Sequence, residues 1–457
     1  MAKLAIFLDH DILVRHFVLN DVLQPIEAMH DVVYVCPENH KRMQIDMRVF
    51  GQRRVRTIPV SNKRAYLYRR LYHATVLRRM RQTTVSHRRA TMQVWRHLLG
   101  AIAFGESWLC SWPLTHELYK WIMLKRIGTN DVLDRLLTEE RPDAILHPTV
   151  LEGLFVSDLI RWGEAHGIPT VFIMNSWDNP ATKAMVVGAP SRLIVWGEQT
   201  KQHAIEHMHI PPSRVVSLGA AQFDLYRHSP KEGPMEYRIR LGIPLDKKVL
   251  LYAGSSKGLD ETSHLRKLEE AIESGALENC MVLYRPHPWR AYPQDEMDFI
   301  SLNWKHVMLE PCMATCYQQY RLGKGMPVDS AKYEDTHVTL GAVDAVISPL
   351  STILLEAAMH GKPIAVYLPD DDMKQNPHLS TVARMVHFTE FFAKIDCIRC
   401  ERPEDLVRDC RRLLEKSHEP GISAALKRQT AYFVEPSDKP YAVRLNAVIH
   451  SLLPGKF

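Results

Sequence analysis

The chain has 457 residues, too many for one ordinary hydrophobic core, which predicts two domains of roughly 200 residues each. Its composition is that of a soluble globular protein, and no stretch approaches the roughly 18 uncharged apolar residues of a membrane-spanning helix. The net charge of +6 conceals an asymmetry: residues 48–105 hold fourteen Lys or Arg and no Asp or Glu, so the remainder, 44 basic minus 52 acidic residues, sums to −8.

The amino-terminal sequence and the cysteines favour a cytoplasmic protein. "MAKLAIFLDHD" has only five apolar residues in a row, which is too short for a signal peptide. Eight scattered cysteines suit free thiols in a reducing compartment. The pairs Cys312/Cys316 and Cys397/Cys400 have spacings used by metal sites, but no histidine stands at a typical distance from them. We expect no metal or other cofactor, and any membrane contact should be peripheral.

Short apolar runs separated by helical patterns occur through the first half of the chain. Continuous apolar runs are typical of parallel strands covered on both faces, and their alternation with helices indicates a doubly wound α/β sheet. The predicted strands are "KLAIFL" (3–8), "DVVYVC" (31–36), "DAILH" (143–147), "PTVFIM" (169–174), "RLIVWG" (192–197) and "SRVVSLGA" (213–220), with a helix over Glu198–Met208.

A basic helical insertion, about residues 48–125, interrupts this first domain. Within "KRAYLYRRLYHATVLRRMRQ" the apolar positions share one helix face; they are Leu67, Tyr68, Leu71, Tyr72, Val76 and Met80. The segment then becomes aromatic, with Trp108, Trp112, Tyr119 and Trp121. Such a sequence, from about residue 53 to 121, suits an anionic membrane surface or an acidic glycan. A helix packed within its own domain is the alternative, and no nucleic-acid-binding motif is recognised.

The second half repeats the alternation after a polar, proline-containing segment, residues 226–245, which is the best candidate linker. The predicted strands are "KVLLYAGSS" (248–256), "CMVLYRPHP" (280–288), "DAVISPLS" (344–351) and "KPIAVYLPDD" (362–371), with helices over 261–277 and 352–361. Residues 313–336 look like a long loop. We predict two facing Rossmann-like domains, 1–226 and 245–435, and a carboxy-terminal helix in 436–457 that packs back.

The strongest chemical pattern is "DAVISPLSTILLEAAMHGKPIAVY" (344–367). A strand ends at Ser348 and a helix begins near Thr352, so unpaired backbone N–H groups and the hydroxyls of Ser351 and Thr352 would form an anion site. Glu356, one turn further, would accept hydrogen bonds from a ribose, because a carboxylate buried among leucines needs a partner. The alternative is a helix cap followed by a buried helix.

This segment resembles the nucleotide-binding segment of GT-B glycosyltransferases, in which a glutamate on this helix holds the nucleotide ribose. "YRPHP" (284–288) resembles the histidine-proline motif of bacterial sialyltransferases, capsule Kdo transferases and CDP-glycerol glycerophosphotransferases. "NSWDNPATK" (175–183) and the sequence to residue 224 are similar to the end of the first domain in bacterial surface-carbohydrate transferases and UDP-GlcNAc 2-epimerases. The resemblance implies the GT-B fold.

The resemblance also implies a set of donor-binding residues. The donor phosphate would meet His287, Arg285, Ser351 and Thr352, and Glu356 would hold the ribose. Gly254 and Ser255 would let the backbone approach the diphosphate, although a tight turn explains the glycine equally well.

The first domain would bind the acceptor and supply the catalytic base, which must be a carboxylate or imidazole near the acceptor hydroxyl. Two segments, "DHDILVRH" and "HPTVLEG", offer Asp9, His10, Asp11, His16, His147 and Glu152. We favour Asp11 as the base, with Asp9 and Glu152 as alternatives and His10 near the acceptor; capping of a helix is the structural alternative for either aspartate.

Trp177, Asp178 and Asn179 form another strand-end group, able to stack on a sugar face and to hydrogen-bond its hydroxyls, or simply to form an Asx-type turn. "PDDD" (369–372) follows a strand of the wrong domain half for a metal-binding DxD pair, and helix dipoles, Arg and His can supply the charge. We predict an inverting, metal-independent glycosyltransferase that uses a CMP-, CDP- or UDP-activated sugar for a surface glycan or lipid-linked acceptor. The alternatives are a glycerophosphotransferase, a sugar-nucleotide epimerase and a non-catalytic glycan-binding protein.

Overall fold

The computed structural model describes residues 1–38, 40, 42–80, 101–151, 154–183, 185, 187–255, 259–287, 299, 302–314, 332–375, 379 and 382–453. The chain divides into two compact units. Unit 1 comprises Met1–Asp224, Met385–His387 and Tyr432–Phe457, and unit 2 comprises Leu225–Arg384 and Phe388–Ala431.

Unit 1 is built on a seven-stranded parallel sheet in the order β3-β2-β1-β4-β5-β6-β7. Its strands are β1 (Lys3–Phe7), β2 (Asp31–Glu38), β3 (Val55–Pro59), β4 (Ala144–Thr149), β5 (Thr170–Met174), β6 (Arg192–Val195) and β7 (Val215–Ser217). Every residue of β4 and β5 is buried, which explains why both strands contain adjacent apolar residues rather than an alternating pattern.

The helices of unit 1 connect these strands in the manner of a doubly wound fold. In chain order they are α1 (Asp11–Phe17), α2 (Gln24–Met29), α3 (Asn62–Met80), α4 (Ala101–Leu109), α5 (Pro113–Ile127), α6 (Asp131–Glu140), α7 (Val156–His166), α8 (Asn179–Thr182) and α9 (Glu198–Met208). Short 3-10 helices span Met47–Phe50, Pro212–Arg214 and Ala221–Arg227.

Unit 2 is built on a six-stranded parallel sheet in the order β10-β9-β8-β11-β12-β13. Its strands are β8 (Lys248–Ala253), β9 (Cys280–Arg285), β10 (Val307–Leu309), β11 (Ala345–Ser348), β12 (Ile364–Tyr367) and β13 (Ile398–Cys400). The helices that follow α9 are α10 (Pro234–Arg240), α11 (Glu261–Glu273), α12 (Tyr333–Ala342), α13 (Ile353–Met359), α14 (Asp370–Gln375), α15 (Val386–Lys394), α16 (Leu406–Lys416) and α17 (Ile422–Thr430), with a 3-10 turn at Pro403–Asp405.

The last helix, α18 (Tyr441–Leu452), belongs to unit 1 although the whole of unit 2 precedes it in the chain. Tyr441, Leu445 and Ile449 are buried in the same apolar cluster as Leu13 and Phe17 of α1. An amphipathic helix gains its stability mainly from such packing. The core of unit 1 is therefore completed by the final segment of the chain.

The α/β class with parallel sheets, predicted from the alternation of apolar runs and helices, is confirmed. Three strands were not predicted: β3, β10 and β13, which are edge strands. The segment expected to be a linker contains α10, where Tyr237 is buried and its hydroxyl lies 3.0 Å from Thr339 Oγ1. The segment expected to be a loop ends in α12, and its residues 315–331 lie outside the described part.

Among the described residues, none of the helices is both long enough and apolar enough to cross a membrane.

Candidate functional site

The strand order reverses once in each sheet, between β1 and β4 in unit 1 and between β8 and β11 in unit 2. At such a switch point the connections run to opposite faces of the sheet and leave a crevice at the carboxyl ends of the strands, where open α/β sheets bind ligands. The predicted residues lie there in each unit: Asp9–Asp11 follow β1, Gly254 and Ser255 follow β8, and Ser351–Glu356 follow β11. His287 lies two residues beyond β9, the neighbour of β8.

In unit 2, Glu356 is buried in α13, and its Oε2 accepts a hydrogen bond of 2.6 Å from the Tyr226 hydroxyl. Burial, reinforced by the Glu356 carboxylate, raises the pKa of Tyr226 well above its usual value, so the phenol keeps the proton that it donates. The sequence predicted that Glu356 needs a partner, but not which one. Tyr226 stands 130 residues earlier, at the start of the segment expected to be a linker.

Two histidines flank the Tyr226 ring. Ring centroids of His337 and His360 lie 4.9 and 4.5 Å from that of Tyr226, and His337 Nδ1 is 2.7 Å from His360 Nε2. His360 Nδ1 donates to the Glu356 carbonyl oxygen at 2.7 Å. Burial lowers the pKa of both imidazoles, that of His360 to about 3. The two rings thus pack against the tyrosine that orients Glu356, and the sequence analysis identified neither of them.

Arg285, predicted to face the donor phosphate, is buried in an internal ion pair. Its Nη1 lies 3.1 Å from Glu310 Oε2, and its Nη2 donates to Thr336 Oγ1 at 2.8 Å. Burial alone would lower the pKa of the guanidinium, but the neighbouring Cys312 and Glu310 raise it above the usual value. These contacts give Arg285 a structural role at the end of β9, and a phosphate contact for it stays a prediction.

The turn after β8 is held by Glu261, the first residue of α11. Glu261 Oε1 accepts from the Ser255 N–H at 2.7 Å, and its Oε2 accepts from the Tyr284 hydroxyl at 2.7 Å. A Cβ at Gly254 would lie 2.3 Å from Glu261 Oε2. The close approach of this carboxylate explains the glycine without a diphosphate, and a phosphate contact for Gly254 and Ser255 stays a prediction.

The turn after β11 places Ser351 and Thr352 directly before α13. The Leu354 N–H donates to the Ser351 carbonyl at 3.2 Å, and the Thr352 hydroxyl makes no capping hydrogen bond. The helix thus begins at Ile353, one residue later than predicted. After the helix, Gly361 adopts φ +69°, and a Cβ there would lie 1.9 Å from Ser423 Oγ, so only glycine fits this turn.

In unit 1, two buried polar atoms at the carboxyl ends of β1 and β4 have no hydrogen-bond partner among the described residues: Asp9 Oδ1 and His147 Nε2. Asp9 Oδ2 accepts from the Leu154 N–H at 2.9 Å, and His147 Nδ1 lies 3.0 Å from the Phe7 carbonyl oxygen. Burial lowers the pKa of His147, although the nearby Asp9 acts to raise it. Buried polar atoms are rarely left unpaired, so this edge is a candidate polar binding site.

Asp11 and His10 instead stabilise the local backbone. Asp11 Oδ1 accepts from the Gln44 and Ile45 N–H groups at 2.9 and 3.0 Å. The imidazole of His10, not either aspartate, caps α1 by accepting from the Ile12 N–H at 3.2 Å. Burial raises the pKa of Asp11, against the effect of the two backbone hydrogen bonds. Glu152, the other candidate base, lies outside the described residues.

Trp177, predicted to stack on a sugar, is instead 2% exposed in the core of unit 1. Its ring meets His387 and Phe433 edge-on, with centroids 5.3 and 5.8 Å away, so no open face remains for a sugar. Asn179 is buried as well, and its Oδ1 accepts from the Ser176 N–H at 2.9 Å. Asp178 contacts the side chains of Asn179 and Thr182. These contacts stabilise the turn between β5 and α8, and a sugar contact for Asp178 or Asn179 stays a prediction.

Asp372, part of the "PDDD" segment, pairs with His264 at 3.2 Å. Among the described residues, no cluster of His, Cys, Asp and Glu is suited to hold a metal ion. Cys316, from one of the cysteine pairs considered above, lies outside them.

Seven of the nine arginines that the structure describes in the basic insertion have acidic partners in unit 1. Arg56 Nη1 lies 2.9 Å from Glu140, and Arg64 Nη2 lies 2.6 Å from Asp158. The further ion pairs are Arg48–Asp46, Arg53–Glu27, Arg54–Glu140, Arg70–Glu106 and Arg78–Glu117. The apolar face of α3 packs on α5 in a buried cluster. The charges of these seven arginines are therefore largely neutralised within unit 1.

His16 supplies a test of the described packing in unit 1. It is buried in α1, and burial lowers its pKa from the usual value of about 6.5 to about 3. The folded state therefore keeps His16 neutral. The contribution of His16 to stability is fully present above pH 6.5 and is lost as the pH drops towards 3, because the unfolded state binds the proton. We expect His16→Gln to flatten the decline in unfolding free energy by up to about 1.4 kcal/mol per pH unit, measured by urea denaturation between pH 6 and pH 4. An unchanged slope would show that His16 is solvated.

The sequence matches no protein-family model and no curated protein. Solved structures do resemble the fold. A complex of S. aureus MnaA with UDP has a TM-score of 0.53 at 11% identity, covering 99% of this chain and 97% of that one. A Listeria monocytogenes protein assigned as a UDP-N-acetylglucosamine 2-epimerase has a TM-score of 0.52 at 11% identity, with 98% and 96% covered. A variant of the wall teichoic acid polymerase TagF with CDPG has a TM-score of 0.50 at 10% identity, with 99% and 88% covered.

Identities near 10% show the fold alone. The similarity spans nearly the whole chain in each case and therefore includes both parallel sheets. The chain accordingly has an α/β fold of the GT-B type.

Proposed function

We propose that the protein is a GT-B glycosyltransferase that moves a sugar from a nucleotide-activated donor to a surface glycan or lipid-linked acceptor, with inversion and without a metal ion. The observation that carries the proposal is the arrangement of Glu356: a buried carboxylate beyond β11, at the switch point of unit 2, held by the Tyr226 hydroxyl at 2.6 Å. A carboxylate fixed in this way can accept hydrogen bonds from the two hydroxyls of a ribose.

The donor would be a CMP-, CDP- or UDP-activated sugar. Structures of similar fold support a nucleotide ligand, since the S. aureus protein is bound to UDP and TagF is seen with CDPG. His287, Ser351 and Thr352 would meet the phosphates, because they follow β9 and β11, the strands on either side of β8.

The acceptor and the catalytic base would lie at the switch point of unit 1. The base fits Asp9 better than Asp11, because Asp11 Oδ1 already accepts from two backbone N–H groups, whereas Asp9 Oδ1 has no partner among the described residues. His147, beside Asp9, would hold or relay the proton. A lipid-linked acceptor would place the protein at the cytoplasmic face of an anionic membrane.

The fold similarities favour two alternatives. TagF supports a CDP-glycerol-type glycerophosphotransferase, which would use the same phosphate contacts with another transferred group. The Listeria protein supports a sugar-nucleotide 2-epimerase, which needs no acceptor. An epimerase would convert UDP-GlcNAc in the absence of acceptor, and NMR of the sugar anomeric protons separates this from transfer.

The nucleotide is identified by thermal unfolding with CMP, CDP, UDP and GDP. A nucleotide present at 100 times its dissociation constant should raise the unfolding free energy by about 2.7 kcal/mol, which is a shift of a few degrees in Tm. We expect one of these nucleotides to give this shift and His287→Ala to abolish it.

His306→Ala is the matched control for that variant. His306 is a half-buried histidine of the same unit, but it precedes β10 and so lies at the amino edge of the parallel sheet, opposite His287. The control should keep the full shift. No shift with any nucleotide would favour a glycan-binding protein instead, and equal loss in both variants would remove the assignment of His287.

A further inference from the structure

Helix α5 has two apolar faces. On one face, Met123 and Ile127 pack into the buried cluster formed with Tyr68 and Leu71 of α3. The opposite face presents four large apolar side chains to solvent at helical spacings of one and two turns; they are Leu114, Leu118, Trp121 and Ile122. Leu114 is 91% exposed, Leu118 58% and Trp121 55%. A contiguous exposed apolar strip of this kind marks an interaction surface.

Basic residues extend this strip. Lys125 lies one turn beyond Trp121, and its Nζ is 4.0 Å from the centroid of the Trp121 ring. Arg126 is exposed beside it. Helix α5 carries Lys120, Lys125 and Arg126 against one acidic residue, Glu117, which lies 3.6 Å from Arg78. Helices that lie in a membrane interface typically carry tryptophan and leucine on one face, next to lysine and arginine.

We propose that the outer face of α5, defined by Leu114, Leu118, Trp121 and Ile122, docks on an anionic lipid bilayer. The apolar side chains enter the boundary between headgroups and acyl chains, and Lys125 and Arg126 meet lipid phosphates. A second copy of the chain fits this strip less well, because a stable protein interface needs roughly 20 to 30 residues a side.

Helix α5 overlaps the end of the segment that the sequence analysis proposed, about residues 53–121, and is distinct from its arginine-rich helix α3. The arginines of α3 that lie in ion pairs, Arg64, Arg70 and Arg78, are already neutralised within unit 1. Apolar insertion by α5 therefore dominates binding, and anionic lipid adds to it. Salt screens exposed charges but not buried apolar contact, so moderate salt should weaken binding only a few-fold. This inference stands independently of the proposed transfer reaction, because vesicle binding needs neither donor nor acceptor.

The test is cosedimentation of the full chain with vesicles of phosphatidylcholine alone and of phosphatidylcholine mixed with phosphatidylglycerol. We expect binding to both, stronger with the anionic lipid. Leu118→Ser should lower the partition coefficient by roughly tenfold or more, because it removes one inserted leucine. Leu245→Ser changes a comparably exposed leucine of unit 2, 48% against 58%, and should bind as the wild type does.

Trp121 fluorescence gives a second readout. The Trp121 emission is obtained as the difference between the spectra of the wild type and Trp121→Phe. This emission should shift to shorter wavelength on vesicle binding. Thermal unfolding of Leu118→Ser in the absence of lipid should match the wild type, since the side chain lies outside the core. Binding of wild type and Leu118→Ser to the same extent would overturn the proposal. So would the absence of binding to either vesicle, or a wild-type dimer that Leu118→Ser dissociates.

Discussion

Arg285→Met is expected to lower the free energy of unfolding by about 3–5 kcal/mol, since it leaves Glu310 buried without its cation. Glu310 Oε2 lies 3.1 Å from Arg285 Nη1, and both side chains are buried at the carboxyl end of β9. A buried carboxylate that loses its partner is destabilising, because no interaction offsets the free energy of its desolvation. Urea denaturation followed by circular dichroism measures the loss.

The double variant Arg285→Met with Glu310→Gln is the control. It removes both charges and keeps an amide oxygen that can accept from Thr339, which donates to Glu310 Oε1 at 3.1 Å. We expect it to recover most of the lost stability, because replacing a whole buried ion pair costs far less than breaking one. A double variant as unstable as the single one would show that packing of the Arg285 stem, rather than the ion pair, matters there.

Glu356→Gln is expected to weaken binding of the preferred nucleotide by between about tenfold and a hundredfold. A neutral amide accepts weaker hydrogen bonds from ribose hydroxyls than a carboxylate does, by on the order of 1 kcal/mol for each bond. The amide oxygen can still accept from the Tyr226 hydroxyl, so the fold should keep its stability. Isothermal titration calorimetry measures the affinity.

Tyr226→Phe separates the orientation of the Glu356 carboxylate from its contact with the ribose. It removes the hydroxyl that fixes Glu356 Oε2 but leaves the carboxylate, and a weakening of only several-fold is expected. The ribose assignment of Glu356 fails if Glu356→Gln binds nucleotide as tightly as the wild type while His287→Ala does not bind.

The positions of the candidate residues along the sheets could be read from the sequence because parallel strands are continuous apolar runs. β8, β9 and β11 were predicted from such runs, and the residues after each run then had to lie at the carboxyl edge of a sheet. The edge strand β10 is three residues between His306 and Glu310, and β13 is interrupted by Arg399, so neither gives an extended apolar run. Strand order within the sheet followed only from the structure.

The partners of these residues could not be predicted, because each is set by tertiary contacts between distant parts of the chain. Arg285 was expected to face a phosphate, but its guanidinium forms an ion pair with Glu310, which directly follows β10. Trp177 was expected to bind sugar, and Phe433, more than 250 residues later, covers its ring. Arg54, Arg56 and Arg64 look unpaired in the sequence because their acidic partners, Glu140 and Asp158, lie outside the insertion.

The placement of α18 has a consequence for how the protein is made. Tyr441, Leu445 and Ile449 fill the core of unit 1, yet they leave the ribosome only after all of unit 2. A nascent chain therefore carries a unit 1 whose apolar surface around Leu13 and Phe17 is uncovered throughout the synthesis of unit 2. Unit 2, in contrast, has its own sheet complete at residue 400. Chaperone engagement during translation should accordingly concentrate on the first half of the chain, and chains arrested before residue 441 should be the ones that are degraded.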